Sequence, residues 1–445
     1  MPRLIYTLLL YLLLPLTPLK LLWRGLRQPE YRQHWGERFG YYRGQRTQTQ
    51  PLIWLHCVSV GETRGAAPLV RELQARHPNH RILLTHATPT GREAGEQLFG
   101  DQVERAYLPY DVPGAVHRFL KHYRPAIGLL METELWFNLI AACKARGIPL
   151  LLVNGRMSVK SARGYARVAR LTAQGLDSLT AVAAQTQADA ERLQTLGANN
   201  PLVLGNLKFD VTPPPQALEQ GALLRARLGR KRPLFLAAST REGEEALILD
   251  AVAAAQVPQL LTVIVPRHPQ RFDEVAELLR KRNIAFLRKS ELDATPAAAL
   301  EQAGYSDAAH KASDSVMARN QMDVLLGDSM GEMFTYYTAC DAAFIGGSLL
   351  PYGGQNLIVA CAVGKPVLIG PHTYNFTAAA EQAITANAAL RVQDVQGLAQ
   401  ALQVLFNDAE KRQQMGEAGL AFSSGSRGAT TRIANLVSAH LPASA

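Results

Sequence analysis

The chain has 445 residues, of which 47% are hydrophobic and 7% aromatic, and this size excludes a single small domain because it supports two α/β cores of about 200 residues each. Lys and Arg outnumber Asp and Glu by 47 to 37, and the formal net charge of +10 favours partners that carry phosphate or carboxylate groups. The basic residues read as scattered, without an aromatic-interleaved basic stretch or zinc-finger spacing, which argues against nucleic acid as a partner.

The N-terminal segment, residues 1–27, is predicted to be a membrane anchor. Residues 4–19 contain no charge and are dominated by leucine, with Arg3 before them and Lys20 after them. Sixteen uncharged residues fall short of the ~20 that span a bilayer, and Pro15 and Pro18 would interrupt a spanning helix. A segment that lies in the membrane surface therefore fits better than one that crosses it.

The residues that follow the anchor predict on which side of the membrane the protein lies. Arg24, Arg27, Arg32 and Arg38 would keep this flank cytoplasmic, and no small-residue cleavage site suggests a secretory signal. The alternative is a buried core helix. Such a helix normally has a polar face, whereas this stretch offers only two threonines and two tyrosines.

From residue 50 onward, apolar runs of strand length alternate with amphipathic stretches, which is the pattern of a parallel sheet covered by helices. The first half predicts strands at 52–59, 81–87, 105–108, 126–131, 149–154, 181–185 and 202–204. Helical periodicity is seen in the intervening segments, for example 66–76 and 135–146. We assign residues 28–211 to an N-terminal Rossmann-like domain.

A proline-rich break at 211–215 marks the predicted domain boundary, because neither a helix nor a central strand continues through it. The strand pattern then restarts at 234–238, 261–266, 284–287, 324–326, 343–346 and 366–369. Residues 216–425 are assigned to a second Rossmann-like domain that faces the first. Residues 289–321 have no strand signal and are assigned no chemistry, and 426–445 form a C-terminal helix and tail within helical material from about 396 to 440.

The first candidate for chemistry is Glu62, in the segment 59–65 that ends a strand and opens a helix. Active sites of parallel sheets gather at such strand ends, where Glu62 could take a proton from an acceptor hydroxyl. Gly61 allows the tight turn, and Arg64 lies beside it. The alternative is a first-turn acid that only matches the helix dipole.

A second acidic strand end carries Glu132 and Glu134, which would point the same way if the strand stayed extended. They could orient an acceptor, stabilise positive charge at a sugar, or cap the next helix. Two further strand ends, 154–158 and 205–210, add Arg156 and Lys208 as cations near the crevice.

The second half is typical of a phosphate-binding domain. Rigid prolines in 265–269 would hold Arg267 where its guanidinium can pair with a phosphate, and the small-residue turn 327–333 opens a helix whose free N–H groups suit an anion. The glycine-rich segment 346–356 lets the backbone approach a nucleotide closely, although it is neither a P-loop nor a G-x-G-x-x-G fingerprint. His372, in the segment 370–376, is interpreted as structural.

Four cysteines lie far apart in the sequence and form no C-x-x-C pair: Cys57, Cys143, Cys340 and Cys361. This spacing is typical of reduced core residues in a cytoplasmic protein. We therefore expect neither a disulfide nor a metal site.

Taken in order, these segments resemble the Kdo transferases, the inverting glycosyltransferases that add 3-deoxy-D-manno-octulosonic acid in lipopolysaccharide synthesis. The resemblance runs through the leucine-rich anchor and the segments 35–40, 59–63, 108–111, 132–136, 205–210, 265–269, 330–332 and 370–372. It implies an α/β GT-B fold with two doubly wound domains around a central cleft. The acceptor would be bound mainly by the first domain and CMP-Kdo by the second.

The resemblance also implies roles for individual residues. Glu62 matches the catalytic base, which would deprotonate a glucosamine hydroxyl for attack with inversion, and Glu132 and Lys208 match positions that stabilise the transition state. Nucleotide-binding positions are matched by Arg267, His268, Met330, Gly331, Glu332 and Asn356. The implied partners are CMP-Kdo, the lipid A precursor lipid IVA and the cytoplasmic face of an anionic inner membrane, with no cofactor, no metal and no nucleic acid.

The glycine-rich segment departs from the family pattern. Gln355 and Val359 stand where a histidine and a helix glutamate are common, and Tyr352 stands where a basic residue is often found. A valine cannot hydrogen-bond a ribose. Two other hypotheses are a nucleotide-sugar epimerase, which has little use for an anchor, and a membrane-attached scaffold that lost the chemistry, against which Glu62 and Arg267 argue.

Overall fold

The computed structural model describes residues 2–43, 50–295, 322–425 and 427–442. The chain divides into two compact units. Unit 1 comprises residues 1–210 and 426–445, and unit 2 comprises residues 211–425. Each unit is built on a seven-stranded sheet whose strand pairs are parallel, so the predicted α/β class with two parallel sheets is confirmed.

The sheet of unit 1 runs in the order β3-β2-β1-β4-β5-β6-β7. Its strands are β1 (Leu52–His56), β2 (Arg81–His86), β3 (Glu104–Tyr107), β4 (Ile127–Met131), β5 (Leu150–Gly155), β6 (Ala181–Ala184) and β7 (Leu202–Val203). The strand order reverses between β1 and β4, and such a switch point opens a crevice at the carboxyl ends of the two strands. Every residue of β1 and β4 is buried, because helices cover both faces of the sheet.

Eleven helices belong to unit 1 in the described part of the chain. They are α1 (Pro2–Leu13), α2 (Thr17–Arg27), α3 (Trp35–Arg38), α4 (Val60–Arg76), α5 (Pro89–Phe99), α6 (Pro113–Tyr123), α7 (Phe137–Ala145), α8 (Val159–Ala166), α9 (Ala169–Asp177), α10 (Gln187–Thr195) and, from the end of the chain, α20 (Ala429–His440). The last of these is anchored by Asp210, whose Oδ1 accepts a hydrogen bond from Gly428 N at 2.5 Å. Its buried side, which includes Ile433 and Val437, joins the core beside β1 and α4.

The sheet of unit 2 runs in the order β10-β11-β9-β8-β12-β13-β14. Its strands are β8 (Leu234–Thr240), β9 (Leu261–Pro266), β10 (Phe286–Arg288), β11 (Val324–Leu326), β12 (Ala342–Ile345), β13 (Val367–Ile369) and β14 (Ala389–Arg391). The helices of its described residues are α11 (Pro215–Leu228), α12 (Glu244–Ala255), α13 (Phe272–Lys281), α14 (Lys289–Ala294), α15 (Met333–Ala339), α16 (Ile358–Ala362), α17 (Thr377–Thr385), α18 (Val395–Asn407) and α19 (Ala409–Gly425).

Each strand predicted from the sequence overlaps a strand of the structure, but β14 was not predicted. Its three residues, Ala-Leu-Arg, are too few to show a pattern and only the first is buried. The C-terminal helical material is three helices, α18, α19 and α20. Of the stretch 289–321, residues 289–295 are described and hold α14, while 296–321 lie outside the described residues.

The N-terminal segment, described from Pro2 to Arg27, is helical and meets the length and hydropathy that crossing a membrane requires. No residue of α1 is buried, so the alternative of a buried core helix is wrong. One side of α1 nevertheless contacts unit 1, where Tyr6 OH donates to Asp111 Oδ2 at 2.9 Å and Thr7 Oγ1 donates to Asn138 Oδ1 at 2.9 Å. The other sides expose leucines, including Leu12 with 73% of its surface accessible.

Candidate functional site

Glu62 lies in the first turn of α4, directly after β1. Ser59 is the N-cap of this helix, and its hydroxyl donates to Glu62 Oε1 at 3.1 Å. Glu62 Oε2 accepts a hydrogen bond from Val58 N at 2.9 Å. Ser59 Oγ in turn accepts from Glu62 N at 3.5 Å. The two residues thus form a variant of the Ser-x-x-Glu capping box, in which Val58 N replaces the N–H of the N-cap residue, so Glu62 does help to begin the helix, as the structural alternative held.

The carboxyl group of Glu62 is an unusually weak acid, although it accepts the hydrogen bonds that begin the helix. Burial raises its pKa from 4.5 to about 7, and the nearby charges of Glu132 and Glu134 raise it further, while the bond from Val58 opposes the shift. A carboxyl group that titrates near neutral pH is suited to accept a proton in catalysis. A solvated first-turn acid would have no reason to titrate there.

Glu132 follows β4, on the other side of the switch point. Its backbone is in the left-handed region, with φ of 56°, so the expectation that Glu132 and Glu134 point the same way along an extended strand is wrong. The chain turns at residues 132–133, and the turn is fixed because Thr133 O accepts a hydrogen bond from Tyr165 OH at 3.2 Å. Left-handed backbone at a residue other than glycine is uncommon and concentrates at functional sites.

Lys208 pairs with Glu132, since its Nζ lies 3.0 Å from Glu132 Oε1. The aliphatic stem of Lys208 crosses α4 at Gly65, where an added Cβ would lie 3.6 Å from Lys208 Cγ and Cε. Gly65 is three residues beyond Glu62 on the same helix. Unit 1 therefore brings Glu62, Glu132 and Lys208 together at one edge of its sheet.

A chain of side-chain amides positions Lys208, and sequence reasoning did not identify it. Asn206 Oδ1 accepts from Lys208 N at 3.0 Å, and Asn206 Nδ2 donates to Gln185 Oε1 at 3.0 Å. Gln185 in turn donates to Asn154 O at 3.0 Å, while Asn154 Oδ1 accepts from Leu207 N at 3.0 Å. The available signal was an amide residue at three successive strand ends.

The other residues predicted near this crevice are less constrained. Gly61 and Arg64 are exposed on the first turn of α4. The side chain of Arg156 is exposed, and its carbonyl oxygen accepts a hydrogen bond from Thr133 Oγ1. No described contact joins the side chains of Arg64 or Arg156 to Glu62.

In unit 2, the glycine-rich segment after β12 is organised by Glu244, which sequence reasoning also missed. Glu244 is fully buried at the start of α12, and burial raises the pKa of its carboxyl group. It accepts hydrogen bonds from the backbone N of Gly347 at 2.6 Å, Leu349 at 3.0 Å, Leu350 at 3.4 Å and Arg241 at 2.9 Å. One carboxylate thus fixes the path of two loops.

Two glycines let these loops pack backbone against backbone. A Cβ on Gly370 would lie 2.2 Å from Ser348 O, and one on Gly346 would lie 2.4 Å from Ser239 O. Ser348 Oγ accepts from Gly370 N at 2.8 Å, and Ser348 O accepts from His372 N at 2.9 Å. The segments after β8, β12 and β13 are therefore held together as one platform.

The predicted nucleotide-binding residues lie in unit 2 at the ends of neighbouring strands. Arg267 and His268 follow β9, and the pKa of His268 is lowered by partial burial and by the charges of Arg241, Arg267 and Arg271. Asn356 Oδ1 accepts from Ile358 N at 3.0 Å at the start of α16. After β11, Met330 and Gly331 are exposed and Gly331 has φ of 85°. Glu332 stands at the N-cap position of α15, and its side chain accepts a hydrogen bond from Ser329 Oγ.

Five adjacent strands of unit 2, in the order β11-β9-β8-β12-β13, carry these segments at their carboxyl ends. This is where ligands bind in open parallel sheets. Val359 is half-buried on α16. The five residues of this helix, Ile-Val-Ala-Cys-Ala, are all apolar.

The four cysteines are buried free thiols, as predicted. Within the described ranges, no group of three or more His, Cys, Asp or Glu side chains is placed to hold a metal ion.

Comparisons with known proteins identify the family. The family model described as "3-Deoxy-D-manno-octulosonic-acid transferase (kdotransferase)" matches residues 33–211. The 3-deoxy-D-manno-octulosonic acid transferase of Bordetella pertussis is 43% identical over 97% of this chain and 98% of its own length. The enzyme of the same name from Haemophilus influenzae is 36% identical over 97% of both chains.

Solved structures show the same architecture at low sequence identity. A UDP-GlcNAc 2-epimerase from Neisseria meningitidis is 15% identical and covers 87% of this chain and 100% of its own, with a TM-score of 0.56. A glycosyltransferase from Rickettsia africae is 14% identical and covers 89% of this chain and 100% of its own, with a TM-score of 0.54. These likenesses concern the fold alone. Because the two sequence relatives match nearly the whole chain, the chain belongs to the Kdo transferase family and is a GT-B glycosyltransferase of lipopolysaccharide synthesis.

Proposed function

We propose that this enzyme transfers Kdo from CMP-Kdo to lipid IVA with inversion at the anomeric carbon, and that Glu62 is the general base. The observation that carries the proposal is the raised pKa of Glu62, about 7, at the switch point of unit 1. A base with this acidity is half-ionised near neutral pH and can accept the proton of a sugar hydroxyl. The donor and the acceptor are those implied by membership of the family.

In the proposed reaction, a glucosamine hydroxyl of the acceptor attacks the anomeric carbon of Kdo. Its oxygen forms the new glycosidic bond, the bond from the anomeric carbon to the phosphate oxygen of CMP breaks, and the hydroxyl proton passes to Glu62. CMP leaves with the bonding electron pair. Attack from the face opposite the leaving group accounts for inversion.

Glu132 and Lys208 are proposed to stabilise the transition state. Positive charge develops on the sugar while negative charge grows on departing CMP, so a fixed pair of opposite charges can serve both. Their separation of 3.0 Å and the amide chain that holds Lys208 support a preorganised pair, which needs little rearrangement during the reaction. Gly61, Arg64 and Arg156 are proposed to border the acceptor.

The donor is proposed to bind at the platform of unit 2. Arg267 and His268 would contact the phosphate, and backbone N–H groups of the turn at Met330, Gly331 and Glu332 would donate hydrogen bonds to the nucleotide, with Asn356 beside them. Arginine is well suited to phosphate because its fork of donors matches the phosphate oxygens. Because Val359 offers no polar atom, we assign the ribose contact to the backbone of the glycine-rich segment.

The N-terminal helices are proposed to attach the enzyme to the cytoplasmic face of the inner membrane. A helix whose one side is hydrogen-bonded to unit 1 through Tyr6 and Thr7 and whose other sides expose leucines suits a position in the plane of the interface. Crossing the bilayer would require these polar contacts to break.

The test of the catalytic proposal compares two changes at the start of α4. Purified enzyme in detergent is given CMP-Kdo and a tetra-acylated lipid A precursor, and the product is weighed by mass spectrometry, which also counts the Kdo units added. Glu62→Gln keeps the side-chain size and is expected to lower kcat by ~10²–10⁴-fold, the usual contribution of a general base. Ser59→Ala removes the cap but keeps the carboxylate, so most activity should remain.

Equal losses in the two variants would mean that Glu62 acts only by capping α4. Unchanged turnover in Glu62→Gln would remove this residue from the mechanism.

A further inference from the structure

In unit 1, the net positive charge is concentrated in two segments that contain no acid. Residues 1–29 hold four Lys or Arg, residues 135–176 hold seven, and neither segment has an Asp or Glu. Together they carry more positive charge than the net +10 of the whole chain. The basic residues are scattered along the chain, as described above, but the acids are not, so the absence of acids from these two segments is what concentrates the net positive charge.

These two segments contact each other in unit 1. The rings of Tyr6 on α1 and Phe137 on α7 meet edge to face at 5.3 Å, beside the hydrogen bond between Thr7 and Asn138 at 2.9 Å. The leucine-rich helix is thus mounted on the part of unit 1 that has the largest excess of positive charge.

Within the second segment, five cations form what we call the cationic stripe: Arg156, Lys160, Arg163, Arg167 and Arg170. All five are exposed. Lys160, Arg163 and Arg167 follow the i, i+3, i+7 spacing that places side chains on one side of a helix, and Arg167 keeps helical backbone angles at the end of α8. The opposite side of α8 packs inward through Ala162 and Tyr165.

Nothing in the described part of the chain neutralises the stripe. The ion pairs nearest to it in sequence join Lys144 to Asp177 and Arg192 to Asp189, and no described ion pair includes one of its five members. Like charges at helical spacing repel each other. An anion that bound along the stripe would relieve this repulsion.

The form of the stripe favours a surface over a single ligand. Sites for single ligands are usually concave, whereas these side chains stand exposed. Lys160 to Arg167 spans eight residues of helical backbone, roughly 10 Å at ~1.5 Å each, and Arg170 follows on α9, so the stripe can meet more than one lipid headgroup. Since Arg156 O accepts the hydrogen bond from Thr133, the stripe begins beside the turn that carries Glu132.

We propose that the cationic stripe is a second membrane-contact surface, which binds the anionic phospholipid headgroups of the bilayer that receives the N-terminal helices. This inference rests on the membrane attachment proposed above and adds an electrostatic contact to it. The helices supply apolar burial, and the stripe holds the Glu132 edge of unit 1 against the lipid surface. Each Lys or Arg beside an anionic membrane strengthens binding by about fivefold, and salt screens the effect.

The test measures binding of the full chain to vesicles of neutral phosphatidylcholine, with and without phosphatidylglycerol, at low and high salt. Lys160→Ala, Arg163→Ala and Arg167→Ala are combined in one variant. Three charges at about fivefold each predict a loss of roughly a hundredfold in binding to the anionic vesicles at low salt. Binding to neutral vesicles, which depends on the helices, should stay unchanged.

The matched control removes three exposed cations from unit 2, Lys231, Arg280 and Lys281, by the same change to alanine. It alters the net charge equally and should retain the preference for phosphatidylglycerol. An equal loss in the control, or no loss in the stripe variant, would overturn the proposal. So would a raised KM for the lipid acceptor in neutral detergent, because the stripe would then bind the substrate.

Vesicle binding needs neither donor nor acceptor, so an enzyme without the proposed activity would leave this test intact. If the unaltered chain failed to bind neutral vesicles, that result would count against the helical anchor and not against the stripe.

Discussion

At the scale of single residues, two features of Glu62 act on its ionisation in opposite directions. Its carboxylate helps to start α4 by accepting from Val58 N at 2.9 Å, which favours ionisation, while burial raises its pKa to about 7, which opposes ionisation. Because burial is the larger effect, the ionised form costs the folded state free energy. This cost is absent below the unfolded pKa of ~4.5 and complete above about 7, so it lowers stability as pH rises through that interval.

One consequence concerns the Glu62→Gln variant at alkaline pH. Glutamine removes the buried charge and keeps an oxygen for Val58 N, so at pH 8 we expect the variant to have a higher Tm than the unaltered enzyme despite its lost activity. Thermal unfolding at pH 8 and near pH 4 checks this, and the gain should disappear at the lower pH. A lower Tm at pH 8 would show that the capping bonds outweigh burial.

The pH dependence of the reaction supplies a second prediction. Only ionised Glu62 can accept a proton, so kcat/KM should rise with pH, reach half its maximum at about 7 and level off roughly one pH unit higher. Glu134 raises the pKa of Glu62 by its negative charge, and Glu134→Gln is therefore expected to shift the rising limb to lower pH.

Glu93→Gln, at an exposed position on α5, is the control and should leave the profile in place. A shift to higher pH in Glu134→Gln would contradict the assigned electrostatics.

At the scale of elements, the loops of unit 2 depend on Glu244, a charged side chain that is not part of the apolar core of the unit. Four backbone N–H groups converge on Glu244. An amide in its place has one accepting oxygen where the carboxylate has two. Two of these donors would then be buried without partners, and the glycine-rich segment would lose its fixed path.

Glu244→Gln is expected to weaken CMP binding and to lower the free energy of unfolding by ~1–3 kcal/mol for each unmet N–H group. Calorimetric titration with CMP and thermal unfolding measure the two effects. The control is Glu242→Gln, an exposed neighbour, which should change neither. Unaltered CMP affinity in folded Glu244→Gln would separate this carboxylate from the donor site.

The elements differ in how well the sequence predicts them. The long central strands follow from uninterrupted apolar runs, since parallel strands buried on both faces need them. The turn at Glu132 was not predictable, because its left-handed backbone depends on Thr133 and Tyr165, which are separated by 32 residues. The same holds for Glu244 and the amides around Lys208, whose partners lie on other strands.

Glu62 could be selected as a candidate from the sequence because its contacts are local. A Ser-x-x-Glu at a strand end marks both a helix start and a crevice within a few residues. The cationic stripe was missed for a different reason, since it is visible only when the absence of acids over residues 135–176 is noticed.

At the scale of the molecule, two chemically different surfaces of unit 1 are proposed to serve membrane attachment. The exposed leucines of α1 and α2 contribute apolar area, and fully burying one leucine is worth roughly tenfold or more in partition. Leu12, 73% exposed, makes no core contact, so changing it tests attachment without disturbing the fold.

Leu12→Glu is expected to reduce retention in membrane fractions by ~tenfold or more, as measured by sedimentation in high salt. Leu223→Glu, the same change at an exposed leucine of unit 2, should sediment as the unaltered chain does. Loss of retention in both variants would point to general solubility and not to the N-terminal helix.

The hydrogen bonds of Tyr6 and Thr7 to unit 1 have a further consequence. Asp111 accepts hydrogen bonds from Tyr6 OH on α1 and from the backbone N of Asn138 and Leu139 at the start of α7. These bonds fix α1 to the folded part of unit 1. With α1 in the membrane interface as proposed, the edge of unit 1 that carries Glu62 would be held at a constant height above the lipid headgroups. We therefore expect a fixed working height to limit how many sugars one enzyme adds, because each addition would move the next reactive hydroxyl away from the lipid surface.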